Sequence, residues 1–285
     1  MLLFLKKGKV FVLTERGVSL KEEEEKDIQL LQKKSLGCAQ TLYNQEDLLL
    51  LDPTAIPKHV AIIMDGNRRW EKKNRMPLFS GHWKGAEVLT HIVRACHALG
   101  IKSLTSFAFS TENWSRSSAE VEALMYLFEI YLIRQRKSME EEGVRFHAIG
   151  ALSKLPKRIQ KVVWETREAT MGGKTIDLIL AINYGGRDEI VRAMQKIAKE
   201  VAEGKISASE INENLVSGFL DTAPWPDPDL LIRTSGEQRL SNFLLWQTSY
   251  TEIHIVDAFW PEFSEKHLLT AVLDYQKRKR RWGGT

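Results

Sequence analysis

The strongest constraint on this chain is an alternation that begins at His59. Short apolar runs of strand length are separated by longer segments whose apolar residues recur at helical spacing. Residues 59–64, 103–109, 144–149, 176–182, 229–232 and 252–256 are predicted as strands. Residues 84–99, 119–142, 155–170, 188–202, 208–215 and 264–280 are predicted as helices, several closed by glycine, as at Gly100 and Gly143. Strands alternating with helices of this length specify an α/β fold: a single open, mainly parallel sheet flanked by helices. Ligands in such sheets sit beyond the carboxyl ends of the strands. Chemistry is therefore expected just after Met64, Phe109, Ile182 and Ile232, and around Glu252.

Residues 1–56 lack this periodicity. They hold the acidic block Lys21-Glu-Glu-Glu-Glu-Lys-Asp27 and end near Asp52-Pro53, and read as an N-terminal extension before a domain spanning 57–285. No run approaches the roughly 18 apolar residues a transmembrane helix needs. The opening Met-Leu-Leu-Phe-Leu precedes its basic residues, the reverse of an export signal, so a cytoplasmic protein is expected. Cys38 and Cys96 are the only cysteines, too few for a disulfide framework. A net charge of +4 in 285 residues fits anionic partners without choosing among nucleic acid, membrane and phosphorylated small molecules.

Three loops carry candidate chemistry. The first, Met64-Asp-Gly-Asn-Arg-Arg-Trp70, leaves a strand with a carboxylate, a turn-permitting glycine and two forked donors suited to phosphate oxygens. His82 opens the next helix and adds a donor. Read alone, the segment is equally a capped turn with surface arginines. The second loop clusters Ser110, Thr111, Glu112, Asn113, Trp114 and Arg116, with Glu120 beyond; it is also compatible with a capping loop around a core tryptophan. The third, Arg233-Thr-Ser-Gly-Glu-Gln-Arg239-Leu240-Ser241, forms a second anion cradle after a buried strand. Arginines ending a buried strand are costly without an anion. Glu252, at the start of the next strand, is the carboxylate that could join Asp65 on a hard cation, or an edge salt-bridge partner.

Other signals fail. Gly172-Gly-Lys-Thr175 follows a helix and lacks the first glycine of a P-loop, since position 168 is Glu. His91 and His97 do not share a helix face, and no dinucleotide fingerprint is present. The tail Lys277-Arg-Lys-Arg-Arg281 carries a single neighbouring aromatic, Trp282, so nucleic acid is not expected as a partner.

Taken in order, five segments resemble the cis-prenyltransferase family, typified by undecaprenyl diphosphate synthase. They are His59-Val-Ala-Ile-Ile-Met-Asp-Gly-Asn-Arg-Arg-Trp70, Phe107-Ala-Phe-Ser-Thr-Glu-Asn-Trp-Ser-Arg116, Asn183-Tyr-Gly-Gly-Arg187, residues 229–246, and Thr251-Glu-Ile-His with Phe259-Trp-Pro-Glu-Phe263. The resemblance runs from about Ile56 to the carboxyl terminus. It implies that isopentenyl diphosphate is condensed with an allylic isoprenyl diphosphate to form a Z-polyprenyl diphosphate, a carrier-lipid precursor. By the same resemblance, Asp65 assists departure of the allylic diphosphate through Mg2+, with Glu252 contributing to the metal. Gly66, Asn67, Arg68, Arg69, Trp70 and His82 hold the allylic diphosphate. Arg233, Arg239, Leu240 and Ser241 hold isopentenyl diphosphate. Asn113 stands at the family's proton-acceptor position, among the substrate-loop residues Ser110, Thr111, Glu112, Trp114 and Arg116. The resemblance also implies a homodimer, with Arg281-Trp282-Gly283 reaching the partner's site, and peripheral membrane contact through the product. A tunnel lined by Ala108, Leu124, Leu127, Phe128 and Ile176 is expected to take the growing chain. Leu78 and Gln238 stand where many members carry an arginine and a histidine. A catalytically silent partner subunit is the alternative reading, although such subunits tend to lose the first-loop residues retained in this chain.

Overall fold

The computed structural model describes residues 2–6, 9–13 and 42–278. The acidic block and the Arg281-Trp282-Gly283 tail lie outside the described residues. Strands β1 (Leu2–Lys6) and β2 (Lys9–Leu13) pair antiparallel. After the short helix α1 (Gln45–Leu49) comes the main sheet. Its strands are β3 (His59–Ile63), β4 (Ser103–Ser110), β5 (Val144–Ile149), β6 (Ile176–Tyr184), β7 (Leu230–Thr234) and β8 (Glu252–Val256). All pair in parallel, in the order β5-β6-β4-β3-β7-β8. The helices are α2 (Asn67–Lys73), α3 (Ser80–Ala98), α4 (Ser118–Glu141) and α5 (Lys157–Thr170). α6 (Gly186–Ala202), α7 (Glu213–Phe219) and α8 (Glu265–Lys277) complete them.

The parity of the strands divides the core. Val60, Ile62, Leu178, Leu180, Ile182, Leu230 and Ile232 point to one face, where α3, α4, α5 and α8 cover them. Ala61, Ile63, Ile179, Ala181 and Leu231 point to the other, against Phe243 and Leu244. Both faces are therefore dry, and this is why the strands read as unbroken apolar runs instead of alternating ones. Burial of each valine, leucine, isoleucine or phenylalanine among them stabilises the fold by roughly 1.5–3 kcal/mol.

The observed elements differ from expectation where apolar periodicity carries no information. α2 carries a single apolar side chain, Trp70, among polar ones and so has no amphipathic trace. α3 begins at Ser80, not at residue 84, because its first turn, Ser-Gly-His, holds no apolar residue. The helix expected over 208–215 is a short 3-10 turn, Ala208–Glu210, followed by α7 with Asn212 as its cap. Residues before 57 are not all peripheral: Tyr43 is 2% exposed and its hydroxyl donates to the Ala95 carbonyl at 3.4 Å. Leu48, Leu51 and Ile56 pack on the same core. The expected boundary at 56/57 therefore falls inside a segment that belongs to the packed body.

Candidate active site

At the carboxyl end of β3, Ile63 stands beside Phe107 of β4 on one side and Arg233 of β7 on the other, and β4 runs on to Ser110. Asp65 leaves the central strand at that edge. Its backbone is fixed by its neighbour: its N–H donates to the Thr234 hydroxyl at 2.9 Å, and its carbonyl accepts from Thr234 and Ser235 at 2.7 and 2.8 Å. Gly66 follows at φ 105, and a Cβ there would collide with the Ser235 hydroxyl and the Phe259 ring. Only glycine fits that turn. Non-glycine residues with left-handed backbone gather at the same end of the sheet: Asn183, Ser235, Ser241, Asn242 and Leu244. Such conformations persist where surrounding contacts impose them, commonly at functional sites.

The Asp65 carboxylate accepts from Arg233 at 2.9 Å and pairs with Arg69 at 3.1 Å. Burial by itself raises its pKa, but the Arg233 hydrogen bond and the Arg69 charge outweigh it and hold the carboxyl below the usual carboxylate range. Arg233 is only 3% exposed. It donates to the Ser241 hydroxyl at 2.8 Å and to the Arg239 carbonyl, while its buried Nε has no partner among the described residues. A buried guanidinium with an unmet N–H is a site prepared for an anion.

The other arginines are held by carboxylates. Glu120 accepts from Arg68 at 3.2 Å and from Arg116 at 3.0 Å. Glu237 accepts from Arg69 at 2.6 Å and from Arg239 at 2.5 Å, and these hydrogen bonds, Arg239 first, lower its pKa. His82, in the first turn of α3, faces Glu71 at 3.3 Å; burial pushes its imidazole below the ordinary value, and Glu71 offsets this only in part. In the second loop, Asn113 accepts the Ser110 N–H at 3.0 Å through its Oδ1 as part of a capping box. Trp114 donates to Asn183 at 2.7 Å and stacks edge-on against Phe109. Asn242 ties the loops together, donating to Glu112 at 2.8 Å and accepting the Arg187 N–H at 2.9 Å. Burial raises the Glu112 carboxyl, but hydrogen bonds from Asn242, Ser110, Thr111 and the backbone together outweigh it, so it too lies below its ordinary range.

These residues surround a polar cavity of about 560 Å³, lined by Asp65, Asn67, His82, Ser110, Glu112, Asn113, Arg116, Arg233, Ser241 and Asn242. His82, Asn67, Ala108 and Leu124 are shared with an apolar cavity of about 80 Å³ that runs inward between α3, α4 and the sheet, where Leu127 and Phe128 also lie. Tyr131 forms its floor, and the Thr90 hydroxyl donates to the Tyr131 hydroxyl at 3.4 Å. Beyond this pinch a third cavity, about 340 Å³ and lined by Val93, His97, Val144 and Ile176, opens at the amino ends of β5 and β6.

Not every candidate joins this site. Trp70 lies on α2 and lines neither cavity. Leu240 packs against the smaller core cluster. Arg239 is placed at the rim with its side chain 60% exposed. Thr111 bonds Glu112 at 3.2 Å outside the cavity wall. Glu252 does not line this cavity: as the first residue of β8 it lies at the amino end of the parallel sheet, level with Leu230. That is three residues, or roughly 10 Å, below the level of Ile255 and Ile63. There it pairs with Arg278 at 2.8 Å. The same Arg278 pairs Asp274 at 2.6 Å, which gives the first arginine of the basic tail a structural task. Glu237, Glu71 and Asn242 were not singled out as site residues. An acid between two anion-binding arginines reads as misplaced until its pairing in space is seen.

Among the described residues no cluster of three or more His, Cys, Asp or Glu is present. The donor set at the cavity nevertheless fits magnesium. Asp65 supplies a single ionised carboxylate, the buried Asn67 Oδ1 has no partner among the described residues, and Mg2+ commonly takes one or two carboxylates and completes its shell with substrate phosphates and water.

A family profile described as "Putative undecaprenyl diphosphate synthase" matches residues 63–283. An isoprenyl transferase of Chlamydia caviae is 48% identical over 243 residues, 84% of this chain and 97% of that protein. The ditrans,polycis-undecaprenyl-diphosphate synthase ((2E,6E)-farnesyl-diphosphate specific) of Micrococcus luteus is 47% identical over 234 residues, covering 82% of this chain and 94% of the relative. Among solved structures, lavandulyl diphosphate synthase from Lavandula x intermedia, in complex with dimethylallyl diphosphate, superposes with a TM-score of 0.79 at 39% identity. That match covers 81% of this chain and all of the other.

Proposed function

The chain belongs to the undecaprenyl diphosphate synthase family and is an isoprenyl transferase, and from that premise we propose how its own residues divide the work. The reading rests on one observation: two arginine-bearing loops meet around Asp65 at the mouth of a cavity that turns apolar as it deepens. A molecule with a charged head and a hydrocarbon tail matches that gradient.

Gly66, Asn67, Arg68, Arg69 and His82 hold the allylic diphosphate, with its hydrocarbon directed past Ala108 and Leu124. Arg233, Ser241 and Arg239 hold the diphosphate of isopentenyl diphosphate alongside. Magnesium, placed by Asp65 and Asn67, would neutralise charge building on the departing diphosphate. The carbon–oxygen bond of the allylic substrate breaks with its electron pair going to the diphosphate. The isopentenyl double bond attacks the allylic carbon, and a proton leaves the adjacent carbon to give the Z double bond. The arginines act by electrostatic preorganisation: they stand where charge develops and need little reorganisation. Asn113 is a neutral amide whose oxygen already accepts the Ser110 N–H. We therefore assign it the positioning of the substrate loop, and the released proton to an oxygen of the departing diphosphate. The released product is a polyprenyl diphosphate, which suits a carrier-lipid precursor. A homodimer and a cytoplasmic location accord with the family, and no described helix is long and apolar enough to cross a membrane.

The test is incubation of the purified chain with farnesyl diphosphate, labelled isopentenyl diphosphate and Mg2+. The expected result is a ladder of products longer than the primer, carrying Z double bonds. If label never enters a longer product, and a second protein must be added to restore synthesis, the silent-subunit reading replaces this one.

A further inference from the structure

The connection between α2 and α3 has a composition that the transfer reaction does not use. From Lys72 to Ala86 there is no acidic residue, while Lys72, Lys73, Arg75 and Lys84 are all basic. Every residue from Lys72 to Leu78 is exposed. The tip, Met76-Pro77-Leu78, is apolar: Met76 is 45% and Leu78 66% exposed. Beside it, on the outer side of α3, Trp83 is 37% exposed and meets Tyr126 of α4, itself 52% exposed, with ring centroids 6.4 Å apart. The nearby acids do not neutralise this surface. Glu71 is turned inward, accepting the Gly81 N–H at 3.0 Å. Glu87 and Glu262 reach only Lys84 and Lys73, at 3.0 and 3.9 Å. Neither Lys72 nor Arg75 has an ion pair among the described residues.

We propose that this surface, with Met76 and Leu78 at its tip, Trp83 and Tyr126 at its flank and Lys72 and Arg75 at its rim, docks the protein on an anionic phospholipid bilayer. Basic side chains near a bilayer are drawn to acidic headgroups, and exposed Leu and Met reach the acyl boundary beneath them. Trp and Tyr are the residues enriched at that boundary. A polyanion such as nucleic acid would be served by the cations but not by the exposed Met, Pro and Leu. An apolar protein partner would not call for uncompensated cations. The position fits as well: Phe79 packs its ring 6.3 Å from His82, which lines both cavities, so the patch borders their mouth. A hydrocarbon leaving the cavity there would enter the bilayer without crossing bulk water. That purpose rests on the isoprenyl-transfer reading; the binding does not, so failure of prenyl transfer and failure of membrane binding are separate results.

The experiment is flotation of the full chain with vesicles of phosphatidylcholine, with and without roughly 30 mol % phosphatidylglycerol. The expected result is flotation with the acidic vesicles, lost in high salt, and none with phosphatidylcholine alone. Lys72→Ala with Arg75→Ala should weaken binding roughly thirtyfold, from the usual contribution of a basic residue near an acidic membrane. Met76→Ser with Leu78→Ser should lower flotation at an unchanged melting temperature, since both side chains are exposed. The proposal is overturned if the wild-type chain does not float. It is equally overturned if both double variants float like wild type, including the case where removing the residues after Arg278 abolishes binding. Loss of self-association in Met76→Ser/Leu78→Ser with flotation unchanged would assign the patch to a second copy of the chain instead.

Discussion

Asp65 is gripped by Arg233 and Arg69, and the remaining arginines of the mouth are gripped by Glu120 and Glu237. Each carboxylate occupies donors that a diphosphate would otherwise take. Removal of Asp65 deletes the carboxylate that Arg233 and Arg69 grip from the two loops; Asp65→Ala is expected to lower kcat by roughly a hundred- to a thousandfold while circular dichroism is unchanged. Turnover near the wild-type rate would contradict the role given to it. Glu237→Gln has the opposite sign for binding: with its competitor neutralised, inorganic pyrophosphate should inhibit more tightly, by up to about tenfold, and slow product release. An unchanged inhibition constant would show that Glu237 does not compete for those arginines. Asp65 and the arginines were legible in the sequence because phosphate chemistry needs those side chains just after a strand. Glu237 was not, because its meaning depends on Arg69, 168 residues away.

At the level of elements, α3 and α4 make the apolar cavity and also close it. Tyr131 on α4 and Thr90 on α3 meet at 3.4 Å and separate the upper space from the one beside Val144 and Ile176. Tyr131→Leu opens that contact with little loss of apolar volume. Thin-layer chromatography of the dephosphorylated products should then show a distribution moved to longer chains. An unaltered ladder would place the length limit elsewhere. The strands and long helices were readable from periodicity, and Leu124, Leu127 and Phe128 as tunnel candidates from the family resemblance. α2 escaped because a lone tryptophan makes no stripe. For Glu252, linear proximity to the third loop says nothing about which end of a parallel strand a residue occupies.

Across the whole molecule, burial sets the response to acid. His59 is enclosed, with Nδ1 2.6 Å from the Pro226 carbonyl and Nε2 2.8 Å from the Thr105 hydroxyl. Burial holds its pKa below the ordinary 6.5, and it does the same for His82, His97 and His147. In the unfolded chain these rings take up protons as the pH falls through 6.5, whereas the folded chain resists. The unfolded state then binds more protons, so stability is full above about pH 6.5 and declines below it. Melting temperatures measured from about pH 8 down to about pH 5 should begin to fall near 6.5, well above the carboxylate range, by a few degrees per unit. A flat profile over that interval would contradict the burial of these rings. The sheet has a further consequence for synthesis of the chain. β3 emerges early from the ribosome, but one of its two edges stays bare until β7 follows, since Asp65 and Arg233 are 168 residues apart. A nascent or truncated polypeptide ending before residue 230 thus presents an open, sticky strand and an aspartate lacking its cationic partner. Such a fragment is a client for chaperones and inert toward diphosphates, and competence arrives all at once, with the last quarter of translation.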